Sequence, residues 1–211
     1  MPVRTRATGP KSPRVFRRDT HQAAGKRATH ERILKSARTI ARREGLRAAS
    51  VPRVMSGAGL TVGGFYAHFP SKAAMDVEIV RSVLSDPPGK ARSGVEDLSG
   101  LEWAKELVQR YLSTRHRDNA EGCAYPRVLS EVATASEEVR LAFSEAMGIR
   151  VRAFESQLPP VADITARERA LATMALMIGG VLLARASQGS PLSEEFLAAC
   201  TRWCLPELDL D

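Results

Sequence analysis

The stretch Ala58 to Lys72, AGLTVGGFYAHFPSK, limits this chain more than any other. Gly57 and Gly59 end one helix, and Thr61 is placed to cap another of about two turns, Val62 to His68. Pro70 stops that helix and Ser71 caps the next, which runs to about Ser85 through Met75, Ile79, Val80 and Val83. Upstream, Ser50 opens a short helix with Pro52 in its first turn and Val51, Val54 and Met55 on one side. Before it, Ile33, Leu34, Ala37, Ile40 and Ala41 recur at helical spacing between Thr29 and Gly45. Gly63 and Gly64 inside a helix cost about 1 kcal/mol each relative to Ala. Such residues in a two-turn helix imply either tight internal packing or close approach by something outside.

Charge separates the chain into two parts. Residues 1–81 hold 17 Lys/Arg against 5 Asp/Glu, and residues 82–211 hold 14 against 19. A basic tail supplies part of this asymmetry. Residues 33–81 alone still carry 8 basic and 3 acidic side chains, so the positive character reaches a folding region. That pattern points to a polyanion partner for the first part.

The rest reads as helix. Residues 1–26, with Arg4, Arg6, Arg14, Arg17, Arg18 and Lys26, read as a flexible basic arm. Asp86 to Gly100, rich in Pro and Gly, reads as a loop. Further helices are expected around Trp103–Leu112, Pro126–Thr134, Glu137–Leu158, Ala166–Ser187 and Leu192–Cys204. No run shows strand alternation, so the fold class is all-α, with a basic three-helix domain ahead of a second helical domain. The boundaries are 1–26 for the arm, 27–87 for the first domain, with its helix-turn-helix at 50–69, and 88–211 for the second.

Two short helices joined by a glycine turn behind a longer basic helix form a helix-turn-helix pattern, whose second helix enters the major groove. Short side chains on that helix let its backbone approach the duplex. The pattern Gly59, Gly63, Tyr66, His68, Phe69, Ser71, Lys72 resembles that of the TetR family of bacterial transcriptional regulators over roughly 27–87. The resemblance implies DNA-binding roles for ten residues. Arg27 and Thr29 stand at the start of the first helix. Ser50 meets a phosphate, and Arg53 projects from the same helix. Thr61, Val62 and Gly64 read base edges. Tyr66 and His68 contact the backbone, and Lys72 faces a phosphate together with its helix N-terminus. Phe65 and Phe69 would fix the reading helix from inside. Val62 departs from the polar residue of many relatives; it can touch a thymine methyl but donates no hydrogen bond.

For the second domain the resemblance implies a small-molecule site and a homodimer on a two-fold axis, matching a palindromic operator. Candidate ligand-lining residues are Trp103, Leu107, Tyr111, Cys123, Tyr125, Phe143, Met147, Phe154, Met174 and Met177. An ordinary core is the alternative for every aromatic and Met among them. Gly122, Cys123 and Glu131 resemble a subgroup's stretch, with Leu129 one residue early. Candidate dimer-interface residues are Leu171, Ala175, Ile178, Gly179, Leu182, Leu197, Cys200 and Cys204. Three cysteines form no disulfide framework, and no metal-ligand spacing or cofactor motif is present. The N-terminus has no apolar signal region, and the apolar segment Ala170–Ala184 is shorter than the roughly 20 residues that span a bilayer. The expected location is the cytoplasm, without membrane partners.

Three function classes follow. The first is a ligand-responsive dimeric repressor. The second is an enzyme, for which no phosphate loop, catalytic triad or metal spacing is found; the four histidines are scattered. The third is a nonspecific, nucleoid-type binder, and a thiol sensor acting through Cys123 is a variant of the first.

Overall fold

The computed structural model describes residues 15–85, 95, 97–119, 124–161 and 163–209. Among these, nine α-helices and one 3₁₀ helix carry the architecture: α1 (Val15–Glu44), α2 (Val51–Gly57), the 3₁₀ helix (Val62–Ala67), α3 (Lys72–Ser85), α4 (Gly100–Tyr111), α5 (Thr114–Asp118), α6 (Tyr125–Ala133), α7 (Glu137–Glu155), α8 (Ala166–Ala186) and α9 (Leu192–Asp209). The only bridge among them is the isolated pair Val161–Ile164. The all-α expectation holds.

Three elements differ from the sequence reading. α1 begins at Val15, so residues 15–26 of the expected arm are helical, and 1–14 lie outside the described residues. Beyond Pro13 no proline interrupts this stretch, and Gln22, Ala23, Ala24, Lys26 and Arg27 favour helix strongly enough to carry Gly25 inside. The short α5 was not foreseen, because TRHRD shows no apolar period. Local capping and tertiary contacts hold it: the Ser113 hydroxyl accepts the His116 amide at 3.2 Å, and Arg185 donates to the carbonyls of Arg117 and His116 at 2.9 and 3.1 Å. The reading helix is 3₁₀ rather than α, as two adjacent glycines allow.

The first domain packs α1, α2, the 3₁₀ helix and α3 around Ile33, Ala37, Val54, Met55, Phe65, Phe69, Met75 and Ile79, all fully buried. Ser36 of α1 donates to the Val54 carbonyl at 2.9 Å, and a Cβ on Gly57 would collide with its hydroxyl oxygen. Gly57 therefore lets α2 lie close on α1.

In the second domain α8 packs on α9, and α7 packs on both α8 and α3. A Cβ on Gly180 would sit 2.8 Å from Cys200 Sγ and 3.0 Å from Leu112 Cδ2, so Gly180 sets how closely α8 approaches α9 and α4. α8 opens with a capping box: Thr165 Oγ1 accepts the Glu168 amide at 3.2 Å, and Glu168 accepts the Thr165 amide at 2.9 Å. At 21 residues α8 is long and apolar enough to cross a membrane, contrary to the shorter segment expected from sequence. The helix includes the flanking Arg169 and Arg185, which bounded the shorter count. Arg169 is buried against the Pro159 carbonyl, and Arg185 reaches the α5 carbonyls, which is how α8 is tied into the protein.

Candidate nucleic-acid interface

The turn between α2 and the 3₁₀ helix is built by backbone. Gly59 adopts φ +66°, the left-handed region open to glycine. Around it, Gly59 N–H donates to Ser56 O and Leu60 N–H to Met55 O, both at 2.9 Å. Gly64 N–H then donates to Thr61 O at 3.1 Å, opening the 3₁₀ helix. Phe65 and Phe69 stack with centroids 5.4 Å apart, both fully buried, and fix this helix as expected.

Its other face is bare. Thr61, Val62, Gly63, Gly64 and Tyr66 are exposed, Val62 by 47% and Tyr66 by 69%. The Thr61 hydroxyl makes no cap hydrogen bond, against the sequence expectation, and neither does that of Ser50. A Cβ on Gly63 would meet no atom within 4 Å, and one on Gly64 only Met55 Cε at 3.7 Å, an ordinary contact. Internal packing therefore does not explain these two glycines.

The cations around this face are in different states. Arg27 is exposed and Thr29 half-buried; with α1 beginning at Val15, both lie in the middle of that helix rather than at its start as expected. Arg53 is forked onto Glu44, with N–O distances of 2.7 and 2.8 Å, and also donates to Ala48 O at 3.3 Å. This hydrogen-bonded pairing holds the Glu44 carboxyl below its usual range and lifts the Arg53 guanidinium further. Lys72 differs from its expected posture. Its ammonium sits on Asp76 at 2.5 and 2.7 Å and donates to Leu46 O at 3.3 Å, bracing α3 against the α1–α2 turn. Burial raises Asp76 above the usual carboxylate range, with Lys72 opposing that shift.

His68 is partly buried, and its Nδ1 is enclosed without a hydrogen-bond partner. Burial lowers its imidazole below the ordinary value, and the His30 and Lys26 charges lower it further. His30 stacks on Phe69 with centroids 4.4 Å apart and meets Glu78 at 2.8 Å. Lys26, expected in the flexible arm, instead lies on α1, and its charge is felt at His68. Its place one turn before His30 was the available signal.

The expected ligand residues lie in the core of the second domain. Tyr111, Tyr125, Phe154 and Met177 are buried, while Trp103, Leu107, Phe143, Met147 and Met174 pack against the same cluster. Trp103 meets Phe154 edge-on at 5.4 Å. Cys123 lies outside the described residues.

The interface candidates divide. Leu171, Ala175 and Leu182 are exposed, and Ile178 and Gly179 partly so. Leu197 and Cys204 are instead buried within the protomer, and Cys200 is turned toward Gly180. α9 uses the stripe Ser193, Leu197, Cys200, Cys204 to pack inward. Its outward side carries Ala199 and Trp203, the latter 67% exposed, and α8 adds Leu176 and Leu183 to the exposed set.

Comparisons with known proteins fit this geometry. Residues 33–79 match the family described as bacterial regulatory proteins, tetR family. The chain is similar to the HTH-type transcriptional repressor KstR2 of Rhodococcus jostii (strain RHA1), 37% identical over 83 residues, which is 37% of this chain and 41% of that protein. The chain thus spans about two fifths of the length of that curated relative. It also shares its fold with a TetR-family regulator from Agrobacterium tumefaciens (TM-score 0.65, 22% identity, covering 87% of this chain and 97% of that one). A TetR regulator from Chloroflexus aurantiacus gives TM-score 0.69 at 16% identity, covering 85% and 96%. Residues 33–79 thus carry the domain of the tetR family of bacterial regulatory proteins, in a chain whose fold is that of the solved TetR-family regulators.

Proposed function

We propose that this protein is a homodimeric, sequence-specific DNA-binding regulator, a repressor released by a small molecule held in its second domain. One observation carries the reading: Gly63 and Gly64 leave open space on an exposed face that nothing inside the protein fills. A backbone bare of side chains, flanked by Thr61, Val62 and Tyr66, suits close approach to base edges and phosphates in a major groove. Arg27 and Lys26 add charge beside it, and Ser50, His68 and a released Arg53 can meet phosphates. Lys72 would contribute through the field of its ammonium rather than as a freely extended donor.

The homodimer is supported by the large apolar side chains that α8 and α9 leave exposed, Leu171, Leu176, Leu182, Leu183 and Trp203. Two copies pressing these faces together would present two reading helices to a palindrome. An effector in the second domain would bias their spacing, so effector and operator would weaken each other by the same factor.

The test is selection of duplexes from a random pool with the full chain, followed by nuclease protection. The expected result is an inverted repeat bound at least a hundredfold more tightly than random duplex. A ratio near one would instead make the protein a nonspecific binder.

A further inference from the structure

The turn between α1 and α2 joins α1 to the reading unit, and it is held from two sides. From α3, Lys72 reaches the Leu46 carbonyl at 3.3 Å. From the second domain, α6 reaches it three times. Glu131 Oε2 accepts the Arg47 backbone N–H at 2.8 Å, Thr134, just past α6, accepts from the Arg47 guanidinium at 3.1 Å, and Arg127 donates to the Arg42 carbonyl at 3.1 Å.

The turn is shaped to receive one of these groups. Gly45 has φ +98°, and a Cβ there would lie 2.8 Å from Glu131 Oε1 and 3.1 Å from the rest of the carboxylate. The missing side chain is thus filled by a carboxylate from a helix 84 residues away, counted from Arg47. The same carboxylate adds to the forces that raise Asp76, the partner of Lys72. Glu131 is therefore felt at both struts of the turn. α6 also packs on α7 and α8, so it links this turn to the core of the second domain.

We infer that Glu131 is the positioning residue through which the second domain sets the angle of the reading unit: its carboxylate seats in the Gly45 notch and holds the Arg47 amide. This rests on the DNA-reading function proposed above. A displacement of α6 would withdraw the carboxylate, free the Arg47 N–H and loosen α2 and the 3₁₀ helix together. α3 and α7 also meet, through apolar packing, the Arg81–Glu145 pair at 2.9 Å and the Arg150 side chain donating to the Leu84 carbonyl, but none of these touches the α1–α2 turn.

The experiment is residue-resolved hydrogen exchange on the full-length chain for wild type, Glu131→Ala, Glu131→Gln and Thr134→Ala. In Glu131→Ala the Arg47 and Val54 amides are expected to exchange at least tenfold faster, with Met177 and Val181 of α8 unchanged. Glu131→Gln keeps one acceptor oxygen and is expected to recover most of the protection, within about threefold of wild type. Thr134→Ala is expected to fall between them. Unchanged exchange at Arg47 in Glu131→Ala would overturn the inference. So would an equal acceleration in α8, the mark of a general loss of stability. If Glu131→Ala does not fold, Glu131→Met, which keeps the bulk of the side chain but offers no carboxylate acceptor, carries the test, and wild-type exchange at Arg47 in that variant would overturn the inference.

A second arm measures affinity for a duplex selected by wild type, where Glu131→Ala is expected to bind at least fivefold more weakly. Failure of wild type to select any duplex would remove the DNA reading but leave the exchange comparison to decide the role of Glu131.

Discussion

The two domains solve opposite problems. The first closes its core completely, with Phe65 and Phe69 fully buried, and exposes a face that is small and mixed in polarity. The second buries a larger core yet leaves Leu171, Leu176, Leu182 and Leu183 of α8 and Leu192 and Trp203 of α9 each open by 39% or more. A face made of glycine, threonine and tyrosine tolerates water and waits for a hydrated polymer. A face made of leucine and tryptophan is costly in water and is suited to permanent cover. On the function proposed above, the difference separates a transient contact from a constitutive one within one chain.

The strongest way to break this contrast is Phe65→Ala. Loss of a fully buried ring is expected to destabilise the first domain by about 3–5 kcal/mol. Chemical denaturation should show an early transition by a probe in α1 or α3, while sedimentation still reports an assembled second domain. Loss of assembly in parallel would show that the two domains are not independent in this sense.

Trp203→Glu attacks the other face. Charge at the centre of the proposed interface is expected to shift the sedimenting species to a monomer of 23.0 kDa. Helical content should stay unchanged, since Trp203 is exposed in the protomer. A dimer of unaltered stability would move the interface elsewhere.

The second domain also carries its own pH limit. His116 is buried against the Tyr111 ring, with centroids 4.4 Å apart, and its Nε2 has no hydrogen-bond partner. Burial, with the Arg185 charge adding to it, lowers its imidazole from 6.5 to about 4. Between those values the unfolded chain binds the proton and the folded chain does not, so this stability is complete above pH 6.5 and declines as pH falls toward 4. From pH 7 to pH 5 the loss from this residue is about 2 kcal/mol. His116→Phe is expected to remove that part of the pH dependence in urea titrations. An unchanged profile would place its origin elsewhere.

Gly63→Ala gives a smaller effect on folding and a sharper test of purpose. A methyl group meets nothing within 4 Å, so thermal stability should hold or rise by up to about 1 kcal/mol. Affinity for a selected duplex should fall at least tenfold. Equal affinity would return the glycine to a purely conformational role.

Much of the first domain was legible because its signals are local. Gly59 at a left-handed turn, Pro70 at a helix end and the buried pair Phe65 and Phe69 each follow from short-range chemistry. What sequence missed depends on pairs far apart in the chain. Lys72 is a mixed case: Asp76, four residues on along α3, was a readable local partner for its ammonium, while the Leu46 carbonyl is brought to it only by the fold. Gly45 read as a helix stop, while its further role as a notch for Glu131 requires the fold. In α9 the apolar stripe was visible, but Leu197 and Cys204 could not be told from outward-facing residues until α8 fixed the inner side. The arm was expected to run too far, to residue 26, because Gly25 and the preceding prolines were weighed above the helix formers between them, which carry α1 from Val15.

The fork between Arg53 and Glu44 has a consequence for search along DNA. An arginine already neutralised by a carboxylate displaces no counterion on a random encounter, so it adds little to nonspecific attraction. On the proposed function it would join only where a duplex offers a better partner than Glu44, making its charge conditional on the fit of the whole reading unit. Glu44→Gln would turn it into an unconditional charge. The expected signature is a nonspecific binding isotherm whose logarithmic salt slope steepens by about 0.9, bringing faster capture by any duplex and poorer discrimination among them.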